Sequence, residues 1–298
     1  MSNLLHYHSC PVCGATALTT VLTVKDFTVS QQSFPVLECA SCTLRFTQDI
    51  PTEEAIGQYY RSADYISHSN TSKGIINSLY QAVRKRTMSG KRNLVEQFTG
   101  LKKGSLLDVG SGTGTFVQAM KQEGWVVTGL EPDEGARNVA MDAYELKLES
   151  MDAFNQLAPS SFDAITLWHV LEHVHALHPY IQQLKKTLKD TGRLFIAVPN
   201  YTSADASVYK EFWAAYDVPR HLYHFSPKSM QVLMEKNGLS IEAYRPMWYD
   251  SFYISLLSSK YKNGKANLPA AGWNGLRSNM KAWSDSKKCS SIVYVIRK

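Results

Sequence analysis

Three groups of residues in this chain have types and spacings that suit chemistry. The first is a loop in which Asp108 is followed by glycines at 110, 112 and 114. Glycine tolerates positive φ and lets a backbone approach a ligand with no Cβ in the way. A dinucleotide loop has the spacing G-x-G-x-x-G and holds a pyrophosphate at a helix N-terminus. Here the spacing is G-x-G-x-G, and a carboxylate at Asp108 repels a pyrophosphate but suits a cationic ligand carrying an ammonium group. Glu131, ending a second apolar run, is placed to accept hydrogen bonds from ribose hydroxyls. The second group is Cys10, Cys13, Cys39 and Cys42, two C-x-x-C pairs separated by 25 residues. Four thiolates so paired build a closed tetrahedral zinc site, with no open position for catalysis. Gly14 permits the tight turn, Cys289 is left over, and no secretory signal is visible, so disulfides are not expected. The third group is the stretch 216–226, which holds Arg220, His221 and His224. Histidine is the natural base near neutral pH, and Arg220 suits a carboxylate or phosphate on an acceptor. His169 and His173 also fit the zinc-protease pattern H-x-x-E-H. That pattern needs one helix through both histidines, whereas His169 follows directly on a buried run.

The glycine loop resembles the first motif of the class I S-adenosylmethionine-dependent methyltransferases, (D/E)-x-G-x-G-x-G with an acid ending the next strand. The resemblance covers roughly residues 75–298. It implies S-adenosylmethionine as cofactor, held by Asp108, Gly110, Gly112, Gly114 and Glu131. Asp152 would hold the adenine amino group, with Ala153 and Phe154 flanking the ring. Trp168 to Val174 would lie close to the reactive methyl. Trp168 could face the sulfonium through its π cloud or simply pack in the core, and His169 is a further candidate there. The segment His221 to Ser226 is similar to the H-x-x-x-F-S region of bacterial small-molecule methyltransferases, including zinc-bearing deoxysugar C-methyltransferases. In those sugar enzymes the matching histidine lies in the active site. The role of base is carried to His221, with His224 second. The further C-terminal domain of the sugar enzymes has no counterpart in this sequence, so a sugar acceptor does not follow.

Exclusions narrow the acceptor. No Asn/Asp-Pro-Pro-aromatic motif follows the fourth strand, which weighs against an amide or base nitrogen. Residues 100–250 contain no cysteine, which weighs against cytosine C5 methylation through a thiolate. Oxygen and carbon acceptors remain.

The elements that must position these groups alternate along the chain. Strands are expected at 105–109, 126–130, 144–148, 161–167, 192–199, 239–244 and 291–296, with helices at 74–98 and 115–123. Ser226 and Pro227 open another helix. Such alternation implies an α/β fold with a mostly parallel sheet covered on both faces. The resemblance makes it a Rossmann-like sheet of seven strands, the last antiparallel, with ligands beyond the carboxyl ends of the strands. Residues 1–50 form a small zinc-ribbon-like module with short strands at 21–24 and 34–37. Residues 51–100 read as a helical linker or lid, and 101–298 as the methyltransferase domain.

The chain has 298 residues and a net charge of +6. No apolar stretch approaches the roughly 18 residues of a membrane helix, so a cytoplasmic protein with no membrane partner is expected. Between Lys260 and Lys298 nine Lys or Arg stand against one acid, Asp285, and Arg84, Lys85, Arg86, Lys91 and Arg92 form a second basic cluster. Basic patches attract phosphates; the plainer reading is a solvated helix face and a flexible loop. Residues 61–72 and 258–290 are candidate lids. Three functions stay open: methylation of a small molecule, methylation of an RNA held by the ribbon and basic surfaces, and a non-catalytic binding protein on the cofactor fold.

Overall fold

A computed structural model describes residues 4–60 and 75–298, with side chains from residue 86 onward in the second span. The candidate lid at 61–72 lies outside the described residues. In the N-terminal part, β1 (Leu4–Leu5) pairs with β5 (Ile50–Pro51), while β2 (Leu18–Lys25), β3 (Ser33–Cys39) and β4 (Arg45–Thr47) form an antiparallel meander. A 3-10 turn at Ile56–Tyr60 and the long helix α1 (Ile75–Thr99) follow. The main sheet then begins with β6 (Ser105–Val109), α2 (Thr115–Gln122), β7 (Val126–Leu130) and α3 (Glu134–Tyr144). It continues through β8 (Phe162–Trp168), α4 (Leu177–Thr187), β9 (Leu188–Pro199) and α5 (Ala204–Tyr209). Strand β10 (Tyr223–His224), which lies outside the main sheet, α6 (Pro227–Lys236), β11 (Ser240–Pro246), α7 (Asp250–Asn263), α8 (Leu268–Ser284) and β12 (Ser291–Arg297) follow.

The main sheet has six strands in the order β11-β12-β9-β8-β6-β7. Strands β7, β6, β8 and β9 run parallel, and β12 is antiparallel to both of its neighbours. The central strands are apolar runs because helices cover both faces. Successive residues serve opposite layers: Leu106 packs with Val95, Phe116 and Met120 from α1 and α2, and Leu107 with Ile181, Leu184 and Met230 from α4 and α6.

Two expectations need correction. No third strand spans 144–148: Tyr144 ends α3, Glu145 turns left-handed at φ +52°, and one bridge, Leu130 to Glu149, stands in for the strand. Leu146 and Leu148 fill the layer against Val117 and Ala140, so the sheet has six strands among the described residues. Nor is 258–290 an irregular loop. Its glycines and serines belong to α7 and α8, a helical hairpin. Asn267 caps α8 by accepting from Ala270 N–H at 3.1 Å, and Pro269 lies in the first turn, where no amide donor is needed.

The ribbon sheet has the order β10-β4-β3-β2, so its fourth strand comes from residues 223–224. The module at 1–50 and the segment after His221 therefore share one ladder.

Candidate active site

The glycine loop joins β6 to α2 at the carboxyl end of the sheet. Gly110, Gly112 and Gly114 all have positive φ, at +72°, +52° and +74°. A Cβ on Gly110 would come within 2.4 Å of Val170 Cγ2, and one on Gly114 within 2.9 Å of Leu146. These two glycines admit packing neighbours. A Cβ on Gly112 would meet nothing within 4 Å; this is the cradle, open where a ligand's backbone-hugging groups fit. Glu131 lies across it. Its carboxylate accepts from Gly112 N–H at 2.7 Å and Asp133 N–H at 3.0 Å, and burial raises its pKa.

Asp108 is fully buried beneath the loop and accepts from the Thr166 hydroxyl at 2.6 Å. Burial pushes its pKa up to about 6, against the pull of that hydroxyl and of Lys91. Lys91, read from sequence as part of a basic surface cluster, instead turns inward. Its ammonium lies 4.2 Å from the centroid of the Trp168 ring, and burial lowers its pKa. Trp168 also meets Phe116 edge-on at 5.5 Å, so one cation already sits on its π face. Asp152 is exposed in a 3-10 turn at Met151–Gln156, held by the Ser150 hydroxyl at 2.9 Å. Beside it Ala153 is half-buried, while Phe154 is buried and stacks on Tyr180 at 4.5 Å.

Strand β8 ends at Trp168, and His169 at φ +60° turns the chain sharply into the 3-10 turn Leu171–His173. His169 and His173 thus straddle a strand end, and the single helix of the H-x-x-E-H pattern is absent there. His169 lies between two acids, with Nδ1 3.2 Å from Glu172 Oε1 and Nε2 2.9 Å from Asp250 Oδ2. Burial works against its charge, but Asp250 and Glu172 outweigh it and push the pKa up to about 10. His173 goes the other way. Burial and the neighbouring His221 lower it to about 4, and its Nδ1 lies 3.0 Å from the Arg220 carbonyl and from the Tyr60 hydroxyl.

His221 packs edge-on against His173, ring centroids 4.6 Å apart, and its Nδ1 donates to the Ala215 carbonyl at 2.8 Å. A carbonyl only accepts, so Nδ1 carries a proton, and in the neutral ring the lone pair is then on Nε2. One ligand atom each from Glu172, His173 and His221 lie within 4.8 Å of one another. Glu172 is wholly buried, and among the described residues its Oε2 has no hydrogen-bond partner. His224 is a wall residue: it is buried, 3.1 Å from the Thr47 hydroxyl, with its pKa held well below the ordinary value by burial.

Arg220 does not present itself to an acceptor, contrary to the expectation from sequence. Its buried guanidinium binds Asp217 at 2.6 and 3.0 Å, Asp26 at 3.1 Å, the Tyr59 carbonyl at 2.9 Å and the Thr28 hydroxyl. It is consumed internally, tying the ribbon to the loop that carries His221.

The four cysteines converge as their spacing requires. Cys10 Sγ and Cys42 Sγ are 3.5 Å apart, as are Cys13 and Cys39, and all four sulfurs lie within 4.8 Å of one another. Sulfurs about 2.3 Å from a zinc ion would stand about 3.8 Å apart, so the donor set fits. Gly14 at φ +79° makes the turn after Cys13.

Sequence reasoning missed Asp250, the inward turn of Lys91, and the unpaired oxygen of Glu172. The first two come from elements far from the motifs, and no local pattern marks them.

A methyltransferase-domain profile matches residues 80–244. The mitochondrial ubiquinone biosynthesis O-methyltransferase of Homo sapiens is 29% identical over 164 residues, covering 49% of this chain and 44% of that protein. The ubiquinone biosynthesis O-methyltransferase of Pectobacterium carotovorum is 34% identical over 108 residues, covering 34% and 45%. The matches thus span about half the length of these relatives or less. Among solved structures, magnesium protoporphyrin IX methyltransferase from Synechocystis, with bound SAH, superposes with a TM-score of 0.52 at 14% identity, covering 80% of this chain and 97% of that one. At that identity the likeness speaks for the fold.

Proposed function

The chain belongs to the methyltransferase-domain family, and from that premise we propose that it moves a methyl group from S-adenosylmethionine to an oxygen or carbon of a small-molecule acceptor, with His221 as base. The observation that carries this reading is that the open Gly112 cradle follows β6 while Glu172 and His173, clustered with His221, follow its parallel neighbour β8, both at the carboxyl end of the sheet. The cofactor supplies an electrophilic methyl on a sulfonium. Glu131 would accept from ribose hydroxyls, Asp152 would accept from the adenine amino group between Ala153 and Phe154, and Asp108 would favour the ammonium end through its charge.

Among the four histidines considered, elimination favours His221. His169 holds its proton up to about pH 10, His173 stays neutral down to about 4, and His224 is walled in. His221 Nε2 would take the proton from an acceptor hydroxyl or carbon acid as the methyl transfers in line. Glu172, buried and negative, would stabilise the imidazolium that results. The relatives are named as O-methyltransferases, which favours oxygen over carbon. The cysteine quartet would hold one structural zinc ion.

The test is a turnover screen over phenols, enols, carbon acids and RNA, reading S-adenosylhomocysteine release, with calorimetry of cofactor binding alongside. Turnover on a small acceptor, reduced about 10²- to 10⁴-fold in His221→Ala, is expected. Cofactor binding without turnover on any class would instead make the chain a binding protein, and turnover on RNA alone would replace the acceptor. Activity abolished by a chelator in protein whose ribbon stays folded would turn the Glu172 cluster from proton handling to metal handling.

A further inference from the structure

We propose that the outer face of α8 lies on an anionic lipid surface. The helix has two opposite faces. Ala271, Gly275, Ser278 and Ala282 repeat at helical spacing on the buried side. There a Cβ on Gly275 would come within 3.1 Å of the Phe252 backbone, and the Ser278 hydroxyl donates to the buried Asp205 at 2.6 Å. This face is fully occupied by α7 and α5. On the other side Trp273, Leu276, Met280 and Trp283 recur at i, i+3, i+7 and i+10, which puts them in one stripe along the axis. They are not core residues caught at an edge: Trp273 is 64%, Met280 61% and Trp283 86% exposed. Among the described residues nothing covers them.

Charge selects the occupant. Arg277 and Lys281, one turn apart, flank the stripe, and from 260 to 288 seven exposed Lys or Arg stand against the single acid Asp285. A helix with tryptophans on one face and cations along its border lies in the plane of a bilayer interface, rings at headgroup depth and cations among the phosphates. A second copy of this chain is disfavoured, because an isologous contact pairs one patch with itself and so gathers the cations Arg277 and Lys281 of both copies at one interface with no acid of the stripe to offset them. No described helix is long and apolar enough to cross a membrane, and the expectation of no membrane partner rested on such spans. It does not bear on a helix lying flat.

The experiment is co-flotation of the full chain with vesicles of phosphatidylcholine alone and of phosphatidylcholine with phosphatidylglycerol, with tryptophan emission read in parallel. The expected result is binding to the anionic vesicles only, a blue shift, quenching by brominated lipid, and loss of binding at high salt. Arg277→Gln with Lys281→Gln should weaken partitioning about 30-fold, at ~1 kcal/mol per cation near the surface. Trp273→Ser with Trp283→Ser should abolish the blue shift and quenching with unchanged melting temperature, since both rings are exposed. The proposal is overturned by failure to bind anionic vesicles at low salt. Binding undiminished in both double variants overturns it equally, as does a dimer in vesicle-free solution that the tryptophan variant dissolves.

Discussion

The four histidines of the site share one ring and differ only in what faces it. His169 lies between two carboxylates, and its pKa of about 10 lies above the ordinary value of 6.5. Below the unfolded value both states hold the proton, so the stabilisation from Asp250 and Glu172 is fully present. As the pH climbs from there through 10 the unfolded chain loses its proton first, and the contribution fades. Urea unfolding of wild type and Asp250→Asn should therefore differ most at pH about 6 and least near 10; a difference independent of pH would sink the ion pairing. His221 makes the opposite case, because its one side-chain hydrogen bond among the described residues, to the Ala215 carbonyl, uses Nδ1 and not Nε2. His221→Asn can keep a donor near that carbonyl, so its melting temperature should stay close to wild type. Its kcat should still fall about 10²- to 10⁴-fold, with cofactor affinity kept. Full activity in this variant would reduce His221 to a structural hydrogen bond.

The glycine loop separates two jobs that look alike in sequence. Gly110 and Gly112 both have positive φ, which costs an alanine about 1–2 kcal/mol. At Gly110 the added methyl would also strike Val170, whereas at Gly112 it would enter open space. Gly110→Ala should lower the melting temperature sharply. Gly112→Ala should fold nearly as well yet bind S-adenosylmethionine at least about ten-fold more weakly, the equivalent of ~1.4 kcal/mol by calorimetry; unchanged affinity there would remove the cradle. The loop was legible because a strand buried on both faces is an apolar run, and the turn after it needs glycine. The same rule misleads at 144–148, where Leu146 and Leu148 alternate like a strand but fill the gap beneath α2 and α3. It misleads again at α8, whose glycine, serine and alanines make a close helix contact and not a loop. Asp108, Glu131 and His221 were singled out from local motifs. Asp250 was not, because it meets His169 from 81 residues further on, a distance no local pattern spans.

At the scale of the whole molecule, the N-terminal sheet is joined to the segment that carries His221. Strand β10 completes its sheet immediately after His221, and the Thr47 hydroxyl donates to the His221 carbonyl at 2.8 Å. Arg220, next to His221, is neutralised by Asp26 from the ribbon and Asp217 from its own loop. Breaking a buried pair costs about 3–5 kcal/mol where the remaining charge has no partner, but without Asp26 the Arg220 guanidinium would keep Asp217 at 2.6 and 3.0 Å. Asp26→Ala should thus destabilise the chain by less than that full amount and lower kcat more than it changes cofactor affinity, because the glycine loop lies on the other module. Metal removal extends the argument. Cys39 ends β3 and Cys42 lies in the turn into β4, and β4 pairs with β10. If zinc folds this corner, stripping it with a chelator should raise amide exchange first around the cysteine knuckles and then across 217–226. Residues 105–131 should keep their protection, and S-adenosylmethionine its affinity. Exchange that rises only within residues 10–47 would mean that the ribbon folds beside the site without holding it. Exchange that rises throughout would mean that the two modules unfold as one, which would remove the separation between cofactor binding and placement of the base.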